Sequence, residues 1–229
     1  MINGIVDTIG YICLKMKKIF LTGVLCIFFS DIAFAQGEIG ITAGLNSSNF
    51  SGARGGSSKN GFQAGLASDF SINKSLSFMT ELLYSQKGAK FEDSVDEYPA
   101  TVYLTLNYLL LSLNLALKAD IGNDSKVFIF AGPYFGVGHS ISAKANYKAG
   151  GKNMSIITDS PISFGVGDDD LKPFDYGLNV GMGCQFKRIF LKAQYNPGLC
   201  NLIYNLPLLD RGASLKNMNV AVTAGYYFF

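Results

Sequence analysis

Glu38-Ile39-Gly40-Ile41-Thr42-Ala43-Gly44-Leu45-Asn46 is the stretch on which the fold turns. Ile39, Ile41, Ala43 and Leu45 share one parity, and Gly40, Thr42, Gly44 and Asn46 the other. A period of two assigns each set to one face of a β-strand. The pattern returns where Phe62, Ala64, Leu66 and Phe70 alternate with Gly61, Gln63, Gly65 and Asp69, and it recurs to the end of the chain. Apolar residues outward and small polar residues inward, repeated about eight times, predict a transmembrane β-barrel. A soluble lipocalin-like barrel would turn its apolar face inward. The glycines oppose that alternative: Gly40, Gly44, Gly61, Gly65, Gly132, Gly136, Gly138, Gly177, Gly181 and Gly183 all fall on the polar face, where small residues suit a narrow lumen.

The expected fold is therefore all-β, an eight-stranded antiparallel barrel with strands Glu38–Asn49, Gly61–Ile72, Ser75–Lys87, Val102–Ala119, Lys126–Ala145, Pro173–Phe186, Ile189–Asn201 and Lys216–Phe229. Connections at Asn73-Lys74, Asp120–Ser125 and Lys187-Arg188 are short and belong in the periplasm. Those at 50–60, 88–101, 146–172 and 202–215 are long and belong outside. The fourth strand has a phase problem, because Leu104 and Leu106 share one parity and Leu109, Leu111, Leu113, Leu115 and Leu117 the other. A bulge near Tyr108, or a start above the bilayer, would reconcile them.

Upstream, Lys17-Lys18, the apolar run 19–29 and Ala33-Phe34-Ala35 before Gln36 make a secretory signal peptide. Residues 1–35 are expected to be an N-terminal extension plus this peptide, with Met16 the more natural start, and 36–229 the barrel domain. Ser30 and Asp31 cut the apolar run short of a membrane helix, and Cys26 lies inside it, which opposes a lipoprotein. The whole chain has 19 basic and 17 acidic residues; without Lys15, Lys17, Lys18, Asp7 and Asp31, 16 and 15 remain. Such balance, with no basic block, excludes nucleic acid as an expected partner. Of the four cysteines, Cys184 and Cys200 belong to the barrel, too far apart along the ladder for a disulfide, and no Cys/His cluster suggests a metal. No cofactor is implied. The chain has 18 Phe and 12 Tyr but no Trp; Tyr84, Phe186, Tyr195 and Tyr226 stand near strand ends, where interfacial girdles form.

The motifs Gly40-Ile41-Thr42-Ala43-Gly44-Leu45-Asn46, Gly61-Phe62-Gln63-Ala64-Gly65-Leu66, Thr80-Glu81-Leu82-Leu83-Tyr84-Ser85-Gln86-Lys87-Gly88, Leu106-Asn107-Tyr108-Leu109, Ala131-Gly132-Pro133-Tyr134, Asp175-Tyr176-Gly177-Leu178-Asn179-Val180-Gly181 and Gln194-Tyr195-Asn196 together resemble the PorT-like, or porin-family, outer-membrane barrels of Bacteroidetes. Where such proteins usually carry Glu-Ile-Pro, this chain has Leu110-Leu111-Ser112, which removes a lumen carboxylate. The resemblance implies an eight-stranded outer-membrane barrel without established activity. It also implies a terminal aromatic assembly signal, matched by Tyr227 and Phe229 and read by the barrel-assembly machinery.

The candidate site is a polar network across the lumen formed by Asp69, Glu81, Lys87, Asp175, Lys192 and Gln194. An eight-stranded barrel is just wide enough for side chains to fill, so a structural or surface-interaction protein without catalysis is expected. A narrow passage for small solutes is the alternative. A lipid-modifying enzyme is the second: His139, the single histidine, by phase faces lipid with Val137 and Ile141, while Ser140 and Ser142 point the other way. The acidic loop residues Glu92, Asp93, Asp96, Glu97 and Asp168-Asp169-Asp170 lack the alternating spacing of a Ca²⁺ loop. The expected surroundings are outer-membrane lipid and lipopolysaccharide, and the expected state is a monomer.

Overall fold

The computed structural model describes residues 37–52, 56–95, 98–149, 152–159, 164, 171–203 and 215–228. Residues 1–35 and the expected cleavage point lie outside them, as do Asp96, Glu97, Asp168, Asp169, Asp170 and Phe229. The described strands are β1 (Gly37–Ser51), β2 (Gly56–Ser71), β3 (Leu76–Val95), β4 (Tyr98–Gly122), β5 (Ser125–Ala149), β6 (Lys152–Asp159), β7 (Phe174–Phe186), β8 (Ile189–Pro197) and β9 (Lys216–Tyr227). Eight of them close a ring in the order β1-β2-β3-β4-β5-β7-β8-β9, sealed where β1 pairs antiparallel with β9 from Gly40↔Tyr227 to Ser51↔Lys216. Closure leaves no open edge in the ring, the condition a strand-built wall must meet in hydrocarbon.

Alternation of exposure follows the parity read from the sequence. Ile41, Leu45, Phe62, Leu66, Leu115, Leu117, Ile129, Val180, Met182, Leu191, Val220 and Val222 are exposed, while Thr42, Asn46, Gln63, Asn114, Asn179, Lys192 and Thr223 between them are buried. An apolar exterior around a polar interior inverts the soluble arrangement. The turns are tight: Asn123 and Asp124 both take positive φ (53° and 57°) between the paired Gly122 and Ser125, the conformation whose twist matches two flanking strands. Lys187, φ 52°, begins the turn between the paired Phe186 and Ile189.

Three expectations are corrected. The segments 88–101 and 146–172 are not simply loops: β3 and β4 pair all the way up to Val95↔Tyr98, and β6 pairs with residues 142–149 of β5. Alternating hydrophobicity fades above the bilayer because neither face need be apolar there, so strand signal is lost while backbone pairing continues. β8 ends at Pro197 rather than Asn201, and beyond it only Gly198 continues the pairing, in an isolated bridge to Gly177. The fourth strand has no bulge of its own. The extra residue is His139 in β5, where pairing shifts from Asn107↔Ser140 to Tyr108↔Gly138. Above it the inward set becomes odd-numbered, so Ile141 packs inward and Ser140 faces out with Asn107, whose Nδ2 donates to Ser140 Oγ at 2.9 Å.

The phase problem of β4 disappears because the lumen is not polar throughout. Leu106, Tyr108 and Leu110 face inward and join an apolar cluster at the loop end, together with Phe50, Leu83, Ala89 and Tyr134 of the wall.

Candidate functional site

Six of the charged residues that parity sends inward form three ion pairs at three heights. Nearest the turns, Lys118 Nζ on β4 meets Asp69 Oδ2 on β2 at 2.6 Å. Further up, Lys192 on β8 pairs with Glu81 on β3, across the ring. Near the loop end, Lys87 Nζ on β3 lies 3.0 Å from Asp175 Oδ2 on β7. Every one of these side chains is buried. Three cations against three carboxylates leave this set neutral, as low-dielectric burial demands. Pairs of this kind add little net stability over apolar filling, but losing one partner strands a charge at a cost of about 3–5 kcal/mol.

Asp175 is the hub of the upper layer. Besides Lys87 it accepts from Asn217 Nδ2 at 2.8 Å and from the Tyr134 hydroxyl at 3.4 Å, joining β3, β5, β7 and β9. The Lys87 ammonium lies 4.4 Å from the Tyr134 ring centroid, within cation–π range. Gln194 joins no ion pair. Its Nε2 donates to Asn196 Oδ1 at 3.2 Å, in an amide chain where Asn219 also donates to Asn196, Asn196 donates to Asn179, and Asn179 Nδ2 donates to Asn114 Oδ1 at 3.2 Å. Sequence reasoning left Lys118, Tyr134 and these asparagines out of the network. Parity marks all of them as inward, since each stands between outward-facing neighbours such as Leu117, Val180 and Val220.

Glycines opposite aromatics complete the filling. Cross-strand partners Phe128↔Gly183, Phe130↔Gly181, Tyr134↔Gly177 and Phe190↔Gly225 place a ring over a residue without a side chain. A Cβ at Gly183 would lie 2.4 Å from the Phe128 ring, and one at Gly225 2.1 Å from the Phe190 ring. The cavity left among Gln63, Lys87, Tyr134, Gln194 and Asn219 measures about 10 Å³, room for one water at most. Above it, Leu171, Leu202, Ile203 and Leu215 from the loop segments enter the apolar cluster. They are held by backbone bonds from Lys172 N to Leu202 O and Leu202 N to Leu215 O, each 2.8 Å.

The family profile for the outer membrane protein beta-barrel domain matches residues 34–204. The chain belongs to this family. No curated protein matches it. Among solved structures it is similar to Ail, the attachment invasion locus protein of Yersinia pestis, in complex with the heparin analogue sucrose octasulfate (18% identity, 84% of this chain, 99% of that one, TM-score 0.39). A second structure of Ail gives 16% identity, 84% and 99% coverage and a TM-score of 0.38. Neisserial surface protein A gives 13% identity, 83% and 97% coverage and a TM-score of 0.40.

In this outer-membrane barrel the short turns lie at one end of the ring and the longer connections at the other. Tyr227 does not join the outward aromatics Tyr226 and Phe228: it faces the lumen, its ring centroid 4.7 Å from that of Phe190. His139 is exposed on its bulge. Cys184 and Cys200 are both free thiols. Cys200 lies beyond the outer end of β8, where burial and then Asp175 push its thiol up, partly offset by Lys172.

Proposed function

We propose that this protein is a closed outer-membrane barrel of the PorT-like kind, a structural or surface-interaction protein that neither conducts solutes nor catalyses a reaction. On this reading residues 1–35 are removed on export and the mature barrel, beginning at Gln36, is a monomer in lipid and lipopolysaccharide. The observation that carries the reading is the filling of the lumen among the described residues: three crossed ion pairs, an amide chain and aromatic rings over glycines, with a cavity of about 10 Å³ among the upper-layer side chains around Lys87 and Gln194. A porin-like passage would need those pairs to separate in a low-dielectric interior and the loop-borne apolar plug to lift. A lipid-modifying enzyme would need His139 beside a nucleophile, whereas its bulge serves to reverse the phase of β5 and Ser140 Oγ is bound by Asn107.

Planar-bilayer recording of refolded protein tests the proposal. No sustained steps above baseline are expected; reproducible open channels would replace it with the transport reading.

A further inference from the structure

The ring is uneven in height. β7 and β8 have 13 and 9 residues, whereas β4 and β5 have 25 each. β3, β4 and β5, with β6 beyond, therefore stand above the rest as a raised sheet. Its inner face joins the apolar plug through Ala89, Leu104, Leu106 and Ile141. Its outer face continues the lipid-facing wall, but the chemistry changes at Asn107.

Below Asn107, the outward residues are Leu109, Leu113, Leu115 and Leu117 on β4 and Ile129 and Phe135 on β5. Above it they form cross-strand rows: Thr105 beside Ser142, then Lys90, Tyr103 and Lys144 abreast. Strands lie about 4.8 Å apart, so the two lysines flank Tyr103 within reach of a single phosphorylated sugar. Tyr103 is four residues above Asn107, roughly 10 Å along the membrane normal for a tilted strand, the depth of a lipid headgroup. Lys144 is exposed, and Lys90 meets Glu92 in a solvent-facing pair that a phosphate can outcompete.

We propose that the outer face centred on Lys90, Tyr103 and Lys144 holds the phosphate-bearing headgroup of the outer leaflet's glycolipid against the barrel wall. The lysines neutralise phosphate, the tyrosine ring lies along a sugar face, and the hydroxyl rows below bond its ester and amide groups. The inference rests on the reading that the apolar band faces lipid in the outer membrane. Continuity of the row with that band argues for a lipid rather than a soluble ligand.

The test uses barrel refolded into phosphatidylethanolamine vesicles containing lipopolysaccharide, either intact or enzymatically dephosphorylated. Glycolipid retained after extraction into mild detergent is measured by native mass spectrometry, and folding is checked by the gel shift on boiling. The wild type is expected to retain the intact form, and K90Q/K144Q to retain roughly tenfold less. K90R/K144R should keep it, and millimolar inorganic phosphate should not compete. Equal retention by K90Q/K144Q, or of the dephosphorylated lipid, overturns the proposal. Displacement by a sulfated polysaccharide in solution overturns it in favour of a receptor surface. Failure of the wild type to insert would refute the membrane reading itself, whereas insertion without phosphate preference refutes only this site.

Discussion

The Ser48 hydroxyl on β1 accepts from Gly88 N–H on β3 at 2.8 Å and lies 3.0 Å from the Gly88 carbonyl, although β2 separates the two strands. Between Ser58 and Gln63, β2 carries one more residue than β3 opposite it, which interrupts the ladder beside Gly88. Ser48 replaces the missing backbone partner from across the gap. Gly88 itself takes φ +148°, and a Cβ there would lie 1.9 Å from Leu104 O.

Ser48→Ala should therefore strand a buried N–H and lower unfolding stability by about 1–3 kcal/mol, read from urea titration of the refolded barrel. Gly88→Ala should yield little folded protein, because the added methyl meets backbone rather than a movable side chain. Wild-type stability for both variants would mean that the β2 irregularity is satisfied otherwise.

The Glu81–Lys192 pair offers a cycle. Glu81→Leu and Lys192→Met alone should each cost about 3–5 kcal/mol, while the double variant should recover most of the loss, since apolar filling replaces a mutually neutralising pair. Additive losses in denaturant titrations would show that the two charges do not depend on each other.

Gly138 has the ring of Phe164 against it, 2.5 Å from where a Cβ would stand. Gly138→Val should displace that ring from the apolar plug while leaving the wall paired. Limited proteolysis of the folded protein should then cut the loop between β6 and β7 several-fold faster, with the gel shift on boiling unchanged. Equal cleavage would show that Phe164 does not hold the plug.

The chain's two expected assembly residues, Tyr227 and Phe229, are predicted to differ in role. Tyr227→Ala should destabilise the folded barrel by removing a buried ring stacked on Phe190, by about 3–5 kcal/mol. Phe229→Asp should instead lower the amount of assembled barrel in cells, with signal cleavage unaffected. Normal assembly of the Phe229 variant would remove the terminal aromatic as a signal.

Local parity carried the barrel. The set Ile39, Ile41, Ala43 and Leu45, read against Gly40, Thr42, Gly44 and Asn46, fixed which face meets lipid, because side-chain direction along a strand depends only on immediate neighbours. The same rule sends Asp69, Glu81, Lys87, Asp175, Lys192 and Gln194 inward, and the short connection at Lys187-Arg188 followed from residue type and spacing, whereas the one expected over Asp120–Ser125 narrowed to Asn123-Asp124 in the structure. Tertiary structure alone decided who meets whom. That Lys192 reaches Glu81 across the ring, that Lys118 serves Asp69, and that Gln194 joins asparagines instead of a charge depend on the tilt and stagger of eight strands. The bulge at His139, which returned Ile141 to the interior, and β6, which turned an expected loop into an added strand, arose where apolar patterning no longer constrains the backbone. Parity is a property of one strand, whereas a partner across the lumen is a property of the closed ring.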